Sequence, residues 1–307
     1  MAIYLVTGGA GFIGSNICDE LAKRGWKTRV FDNLSTGKSE NLKHLEGKIE
    51  FIRGDLRNME EVKSAVKNVD MIFHLAALPS VIRSVQDPIT SNSANIDGTL
   101  NLLVAARDAG VRRIIFAGSS SAYGDTEEDS KYEEMKPSPL SPYAITKVTG
   151  EYYCKVFSNL YGIETVILRY FNVFGPRQDP SSPYSGVISI FVKKMKSGER
   201  PTIFGNGKQS RDFTFVKNVV NANMLASEKE GISGEIINIA CGKRVTVNQL
   251  VDELNEILGT NIKPIYADPR PGDILHSLAD IRKAERLLGY KPEVHFKEGL
   301  RKTVESI

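Results

Sequence analysis

Cysteine is scarce in this chain. Cys18, Cys154 and Cys241 are odd in number and widely scattered among 307 residues, which argues against a disulfide framework. Histidine is nearly as rare: His44, His74, His276 and His295 show no metal-ligand spacing, so no metal site is expected. No apolar run is long enough to span a bilayer. Met1-Ala2-Ile3 leads straight into a strand pattern with no signal peptide, so a reducing cytoplasm is the expected address. The net charge of +3 is small for this length, and no basic stripe with interleaved aromatics is present. Neither nucleic acid nor membrane is therefore an expected partner. Internal repeats and low-complexity tails are also missing. What remains, 41% hydrophobic and 25% charged residues, suits an enzyme with a sizeable core in two lobes.

The most informative stretch that is present runs Val6-Thr-Gly-Gly-Ala-Gly-Phe-Ile-Gly14, directly after the apolar Ile3-Tyr4-Leu5. Gly8, Gly11 and Gly14 fall between a strand pattern and a helical pattern from Phe12 to Leu21. Glycine there permits a tight turn, lets backbone approach a pyrophosphate, and lets helix pack closely on strand. The helix N-terminus offers free N–H groups and partial positive charge to the anion. Thr28–Phe31 reads as the next strand and ends at Asp32-Asn33. An acidic residue at that tip accepts hydrogen bonds from the adenosine ribose and repels the 2′-phosphate of NADP, so NAD is the expected cofactor. Asp-Asn is also ordinary turn chemistry, and Asp32 without the glycines would mean little.

Strand patterns at Ile3–Thr7, Thr28–Asp32, Ile49–Arg53, Met71–His74, Arg113–Ala117 and Thr165–Leu168 alternate with helical ones, including Ile89–Ala109 and Pro142–Leu160. Such alternation implies right-handed crossovers and a doubly wound parallel sheet covered on both faces. From Phe171 to Gln209 the chain turns rich in Pro, Gly and Ser, as loops over a cleft would be. Patterns resume at Phe213–Val216, Val219–Ser227, Ile236–Ile239 and Thr246–Leu258. An α/β fold with a smaller, partly interleaved C-terminal lobe is expected. Residues 1–170 would form the dinucleotide-binding unit, with 212–238 packing back on it; 171–211 and 239–307 would form the lobe.

Ser141-Pro142-Tyr143 has the features of a helix start, with Ser141 as cap and Pro142 at the first helical position. Tyr143 and Lys147 then stand at i and i+4 on one face. A phenol titrates near ~10 and is a poor base at neutral pH, and a nearby ammonium favours its ionised form. Such a pair alone is usually a helix-surface contact; after a glycine loop and a sheet of this order, a catalytic pair is the better reading. Upstream, Ile114–Gly118 delivers Ser119, Ser120 and Ser121 to the carboxyl edge of the sheet, where ligands bind in doubly wound folds.

Together, Thr7–Gly14, Asp32-Asn33-Leu34, Gly54-Asp55-Leu56, His74–Ala77, Ser119–Tyr123, Tyr143/Lys147, Arg169–Asn172, Ser210–Phe213 and Arg270–Asp273 resemble the extended short-chain dehydrogenase/reductase superfamily. Within it they are most similar to the nucleotide-sugar 4-epimerases, over essentially the whole chain. The resemblance implies an NAD-binding Rossmann domain and a C-terminal substrate-binding lobe. It places Gly8, Gly11, Phe12, Ile13, Gly14, Asp32, Asn33, Ser35, Gly37, Asp55, Leu56, Leu75, Ala76, Ala77, Asn95, Tyr143, Lys147, Tyr170 and Val173 on the cofactor. Asp55 and Leu56 would meet adenine, and Ala76 and Ala77 would wall the nicotinamide half. Asn95 matches a structural or cofactor-contacting asparagine. Ser119, Tyr143 and Lys147 would carry catalysis. Substrate would meet Ser80, Ser120, Ser121, Tyr143, Asn172, Val187, Phe204, Arg211, Arg270, Asp273 and Ser277. Among these, Asn172, Arg211 and Arg270 would hold pyrophosphate, for which the arginine fork is suited.

The implied reaction begins with Tyr143 taking the sugar 4-hydroxyl proton while C4 gives a hydride to NAD. The 4-ketose turns over, and hydride returns to its other face. Ser277 matches a position lining the sugar's C2 substituent; a small residue there implies tolerance of an N-acetyl group. Activity on UDP-N-acetylglucosamine/N-acetylgalactosamine alongside UDP-glucose/galactose is therefore expected. A UDP-glucuronate 4-epimerase remains open, although Asn172-Val173-Phe174 fits neutral sugars better. Dehydratases carry an Asp-Glu pair where this chain has Ser120-Ser121, and the acid and base that elimination needs are absent. A non-catalytic NAD-binding protein and a net oxidoreductase are the readings from other classes. The helices at Asn95–Ala109 and Tyr143–Tyr161 resemble a pair that forms a homodimer interface, though their apolar positions could instead face the protomer's own sheet. Asn218, where relatives often have aspartate, is expected to cap a helix.

Overall fold

The computed structural model describes residues 2–179, 186–269 and 275–307. In its first half, β1 (Ile3–Thr7), α1 (Phe12–Lys23), β2 (Lys27–Asp32), β3 (Ile49–Arg53), α2 (Met59–Val66) and β4 (Met71–His74) alternate as the apolar periodicity predicts. Next come α3 (Val81–Gln86), α4 (Pro88–Asn92), α5 (Gly98–Asp108), β5 (Arg113–Ser119), α6 (Pro142–Tyr161) and β6 (Glu164–Tyr170). The later region contributes β7 (Val173–Phe174), α7 (Val187–Lys196), β8 (Thr202–Phe204), β9 (Ser210–Arg211), β10 (Thr214–Phe215) and α8 (Val216–Glu228). It ends with β11 (Ile236–Ile239), β12 (Val245–Thr246), α9 (Val247–Leu258), β13 (Ile265–Ala267), α10 (Arg282–Leu288) and α11 (Phe296–Ser306).

Seven strands form one parallel sheet in the order β11-β6-β5-β4-β1-β2-β3. Central strands such as β4 are buried at every residue because helices cover both faces. On one face α1 and α8 enclose Val6, Ile17, Leu21, Phe73 and Val219; on the other, α2, α5 and α6 enclose Leu5, Val62, Leu102, Leu103 and Phe157. The chain reverses direction across the sheet between β1 and β4, which opens a crevice beyond their carboxyl ends. A separate aromatic-rich core of Phe174, Phe191, Phe213, Phe215, Leu250, Leu254 and Leu300 holds the C-terminal lobe together. No helix among the described residues is long and apolar enough to cross a membrane.

Four local expectations change. The helix expected over Ile89–Ala109 is broken by a π-turn at Ser93–Asp97, in which Asn95 turns inward. The strand expected at Phe213–Val216 shrinks to Thr214–Phe215, because Phe213 is drawn into the aromatic core and Val216 already begins α8. Asn218 does not cap that helix. It lies within α8, fully buried, and its amide accepts from the Glu293 and Val294 N–H groups and donates to the Val294 carbonyl. Finally, α10 packs on β11 and α8, with Ala284, Leu288 and Tyr290 in the core under the sheet. That segment thus joins the sheet unit although the sequence reading gave all of 239–307 to the lobe.

Candidate active site

The turn after β1 is shaped by close approach. Gly8 has φ +69°, and a Cβ there would lie 2.7 Å from the Ala76 nitrogen; at Gly14 it would lie 2.2 Å from the Gly8 carbonyl oxygen. Only glycine lets α1 start this near the β4 loop. No side chain caps α1, so its first-turn N–H groups open on a cavity of about 1070 Å³ that Gly8, Gly11, Phe12, Ile13 and Gly14 line.

At the end of β2, Asp32 is held rigidly: Oδ2 accepts from Ala10 N–H at 2.9 Å and Oδ1 from Leu34 N–H at 2.8 Å. Burial nonetheless pushes its carboxyl up from the ordinary value. Asn33 donates to Asp55, and the Arg57 guanidinium beside Asp55 holds that carboxyl well below the usual range. Asp32, Asn33, Ser35, Gly37, Asp55 and Leu56 all line the same cavity.

His74 ends β4 behind the opposite wall, fully buried. Thr99 gives its hydroxyl proton to the Asn95 carbonyl at 2.6 Å, so His74 Nε2 must donate to Thr99, and Nδ1 accepts from Thr7. Burial, with Lys147 nearby, lowers the His74 imidazole to about 3, so it stays neutral. Leu75, Ala76, Ala77 and Ser80 follow along the cavity wall, Ser80 also capping α3 through Arg83 N–H. Asn95 does not line the cavity. Its amide binds the Leu78 N–H and carbonyl and the Thr146 hydroxyl, so it fastens this wall to α6 from behind.

Ser119, Tyr143 and Lys147 meet at the carboxyl edge of β5. Ser119 ends the strand, and Ser121 donates to its Oγ at 2.8 Å. Ser141 caps α6 through Ala144 N–H, Pro142 occupies the first turn, and Tyr143 N–H binds the Ser84 hydroxyl at 3.0 Å. Tyr143 and Ser119 line the same cavity. Lys147 Nζ donates to the Ala117 carbonyl at 2.8 Å, and burial lowers its ammonium to about 8 against the opposing pull of Glu151. Burial pushes the Tyr143 phenol up, and the Ser119 hydroxyl draws it down.

Beyond this trio, Ser120, Ser121, Tyr170, Asn172, Val173, Arg211 and Ser277 continue the large cavity. Asn172 (φ +36°) and Arg211 also border a smaller cavity of about 280 Å³ with Val187, Phe204 and Phe213. Arg270 and Asp273 lie outside the described residues.

A model of the NAD dependent epimerase/dehydratase family matches residues 4–240. The chain belongs to that family. It is 42% identical to the putative UDP-glucose 4-epimerase of Methanocaldococcus jannaschii over 304 residues, 98% of this chain and 97% of that protein. Its fold matches the UDP-N-acetylglucosamine 4-epimerase of Methanobrevibacter ruminantium M1, solved with UDP-N-acetylmuramic acid, at TM-score 0.95 and 43% identity over 99% of this chain and 97% of that one. It matches the Thermotoga maritima UDP-glucose 4-epimerase, solved with UDP-glucose, at 0.95 and 42% over 99% and 98%.

NAD is the cofactor of this epimerase/dehydratase family, and the glycine cradle, the uncapped helix start and Asp32 fit a dinucleotide. Within the family, elimination chemistry would need an acid and a base beside Ser119; Ser120 and Ser121 supply neither. Among the residues in or behind the site that the sequence does not single out are Ser84, Gln178 and Lys131. Ser84 was hidden in a short amphipathic stretch, and Gln178 in a Pro- and Gly-rich loop. Lys131 sits in the acidic run Asp125–Glu134, which reads as a solvated turn.

Proposed function

We propose that this enzyme inverts C4 of a UDP-hexose through a 4-keto intermediate, acting on UDP-N-acetylglucosamine/N-acetylgalactosamine and also on UDP-glucose/galactose. The observation that carries this is the convergence of Ser119, Tyr143 and Lys147 in one cavity that runs from the glycine turn to Ser277.

Tyr143 takes the proton of the sugar 4-hydroxyl, and Ser119 hydrogen-bonds the same oxygen. Bound NAD supplies a hydride acceptor and then a hydride donor. Because burial raises the Tyr143 phenol, its ionised form depends on Ser119 and on positive charge close by, from Lys147 and from the oxidised cofactor. Lys147 is already presented on the cavity by its bond to Ala117 and would hold the nicotinamide ribose. Asp32 would take the adenosine ribose, with Asp55 and Leu56 beside adenine. The first-turn N–H groups of α1 would take the cofactor's pyrophosphate. Asn172 and Arg211, shared by both cavities, would hold the substrate's pyrophosphate, with Phe204 and Val187 around uracil. Remote binding energy at the UDP end leaves the hexose loose enough to present either face. Ser277, small and 6% exposed, leaves room beside the sugar for an acetamido group.

The cofactor unit in this reading is 1–170 with 212–238 and α10 packed on it, and the remainder binds substrate. We also infer a homodimer. Ile145, Tyr152, Val156 and Leu160 are exposed along one stripe of α6, and Ile89 of α4 is 81% exposed; solvent is a poor partner for such a row. A cytoplasmic address accords with three unpaired cysteines. Assay of the purified protein with UDP-glucose, UDP-N-acetylglucosamine and UDP-glucuronate tests the substrate range. Turnover of the glucuronate alone would overturn it.

A further inference from the structure

Lys131 is a buried cation with almost nothing to bind. It is 3% exposed, and both it and Gly124 line the large cavity. Its ammonium has three N–H donors, and it makes one hydrogen bond, to the Gly124 carbonyl at 2.8 Å; it has no ion pair among the described residues. Its backbone is fixed on both sides. Lys131 N–H donates to the Leu278 carbonyl, while its own carbonyl accepts from Asp280 N–H and the Asn238 amide.

The neighbouring carboxylates are engaged elsewhere or too far away. Asp212 accepts from the N–H groups of Cys241, Gly242 and Ala279, and Glu133 from that of Asn238. Asp125 attracts the ammonium through space without pairing with it, and Arg211 repels it. Two cations thus share this end of the cavity with no carboxylate bound to Lys131. A buried charge in that state is costly unless an anion arrives.

We propose that Lys131 binds an anionic oxygen of the substrate directly. The inference rests on the reading of this cavity as a nucleotide-sugar site. Two sources carry that chemistry: the β-phosphate, or a carboxylate on the hexose. On the phosphate Lys131 supplies affinity common to all nucleotide sugars, and on a carboxylate it sets specificity; the strand-like segment 277–280 that carries Ser277 holds it in place.

The test is calorimetric titration of the NAD-loaded enzyme with UDP, UDP-glucose and UDP-glucuronate, comparing wild type, Lys131→Met, Lys131→Gln and Lys131→Arg. Circular dichroism and bound NAD establish folding, and Lys131→Gln carries the comparison should the methionine variant not fold. Loss of the charge should weaken binding by about tenfold or more, while arginine should restore much of it. Equal weakening of all three ligands identifies the phosphate, and weakening of UDP-glucuronate alone identifies a sugar carboxylate; both support the proposal. Unchanged affinities in the neutral variants, or a loss confined to UDP-glucose, overturn it. A wild type that binds none of the three overturns the nucleotide-sugar reading, and this proposal falls with it.

Discussion

Lys147 donates to the Ala117 carbonyl, which ties the turn of α6 that carries Tyr143 to the end of β5 that carries Ser119. Desolvation holds the phenol's proton more tightly than in water, and the Ser119 hydroxyl pulls the other way. The pair four residues apart on α6 therefore works together with a third group at the end of β5.

Tyr143→Phe should fold, keep NAD, and lose turnover by about 10²–10⁴-fold, the usual range for general acid–base catalysis. Steady-state assay with bound-NAD quantitation checks this. A variant retaining more than about a tenth of wild-type activity would show that another group takes the proton.

Ser277→Tyr should abolish inversion of N-acetylated hexoses and spare UDP-glucose/galactose, because a phenol ring and an acetamido group cannot share the volume. Parallel assays with both sugars decide it. Equal loss of the two activities would remove Ser277 from that role.

Asp32→Asn keeps an acceptor oxygen for Leu34 but discards the charge. NAD affinity should fall, and the preference over NADP should narrow. Measured dissociation constants for the two cofactors give the answer; an unchanged ratio would reduce Asp32 to a turn residue.

Stability should fall in acid through His74. Its imidazole is held near 3 in the folded protein against 6.5 as the ordinary value, so below 6.5 the unfolded chain binds a proton that the folded one refuses. Stability from this group is complete above 6.5 and declines as pH drops toward 3. Between pH 7 and 4.5 its share is roughly 2–3 kcal/mol. In His74→Gln, denaturant unfolding across that window should show a correspondingly smaller decline. An identical decline in both proteins would mean His74 is charged in the folded state.

Local signals carried most of the sheet, since most of the first six strands are short apolar runs next to a helix. The glycine turn was equally legible, because its chemistry lies within nine residues. Features made by distant partners were not. Asn95 matches a structural or cofactor-contacting asparagine, and its partners, Leu78 in the loop after β4 and Thr146 on α6, are visible only in the fold. Asn218 looked like a cap because its partners at 293–294 lie 75 and 76 residues away. Lys131 was invisible among its acidic neighbours, since its burial is imposed by Leu278, Asp280 and Asn238. The π-turn in Ile89–Ala109 likewise brings Asn95 inward to partners on other parts of the chain, just before Gly98.

The central claim is reversible inversion at C4 with the hydride kept on the enzyme. Proton NMR of UDP-glucose and UDP-N-acetylglucosamine carrying deuterium at C4, incubated in ordinary water with the NAD-loaded protein, tests it most directly. Conversion to the galacto-configured epimers is expected, with the deuterium still at C4 and no accumulation of NADH. Loss of the label to water, steady NADH build-up, or no inversion of either sugar would contradict it.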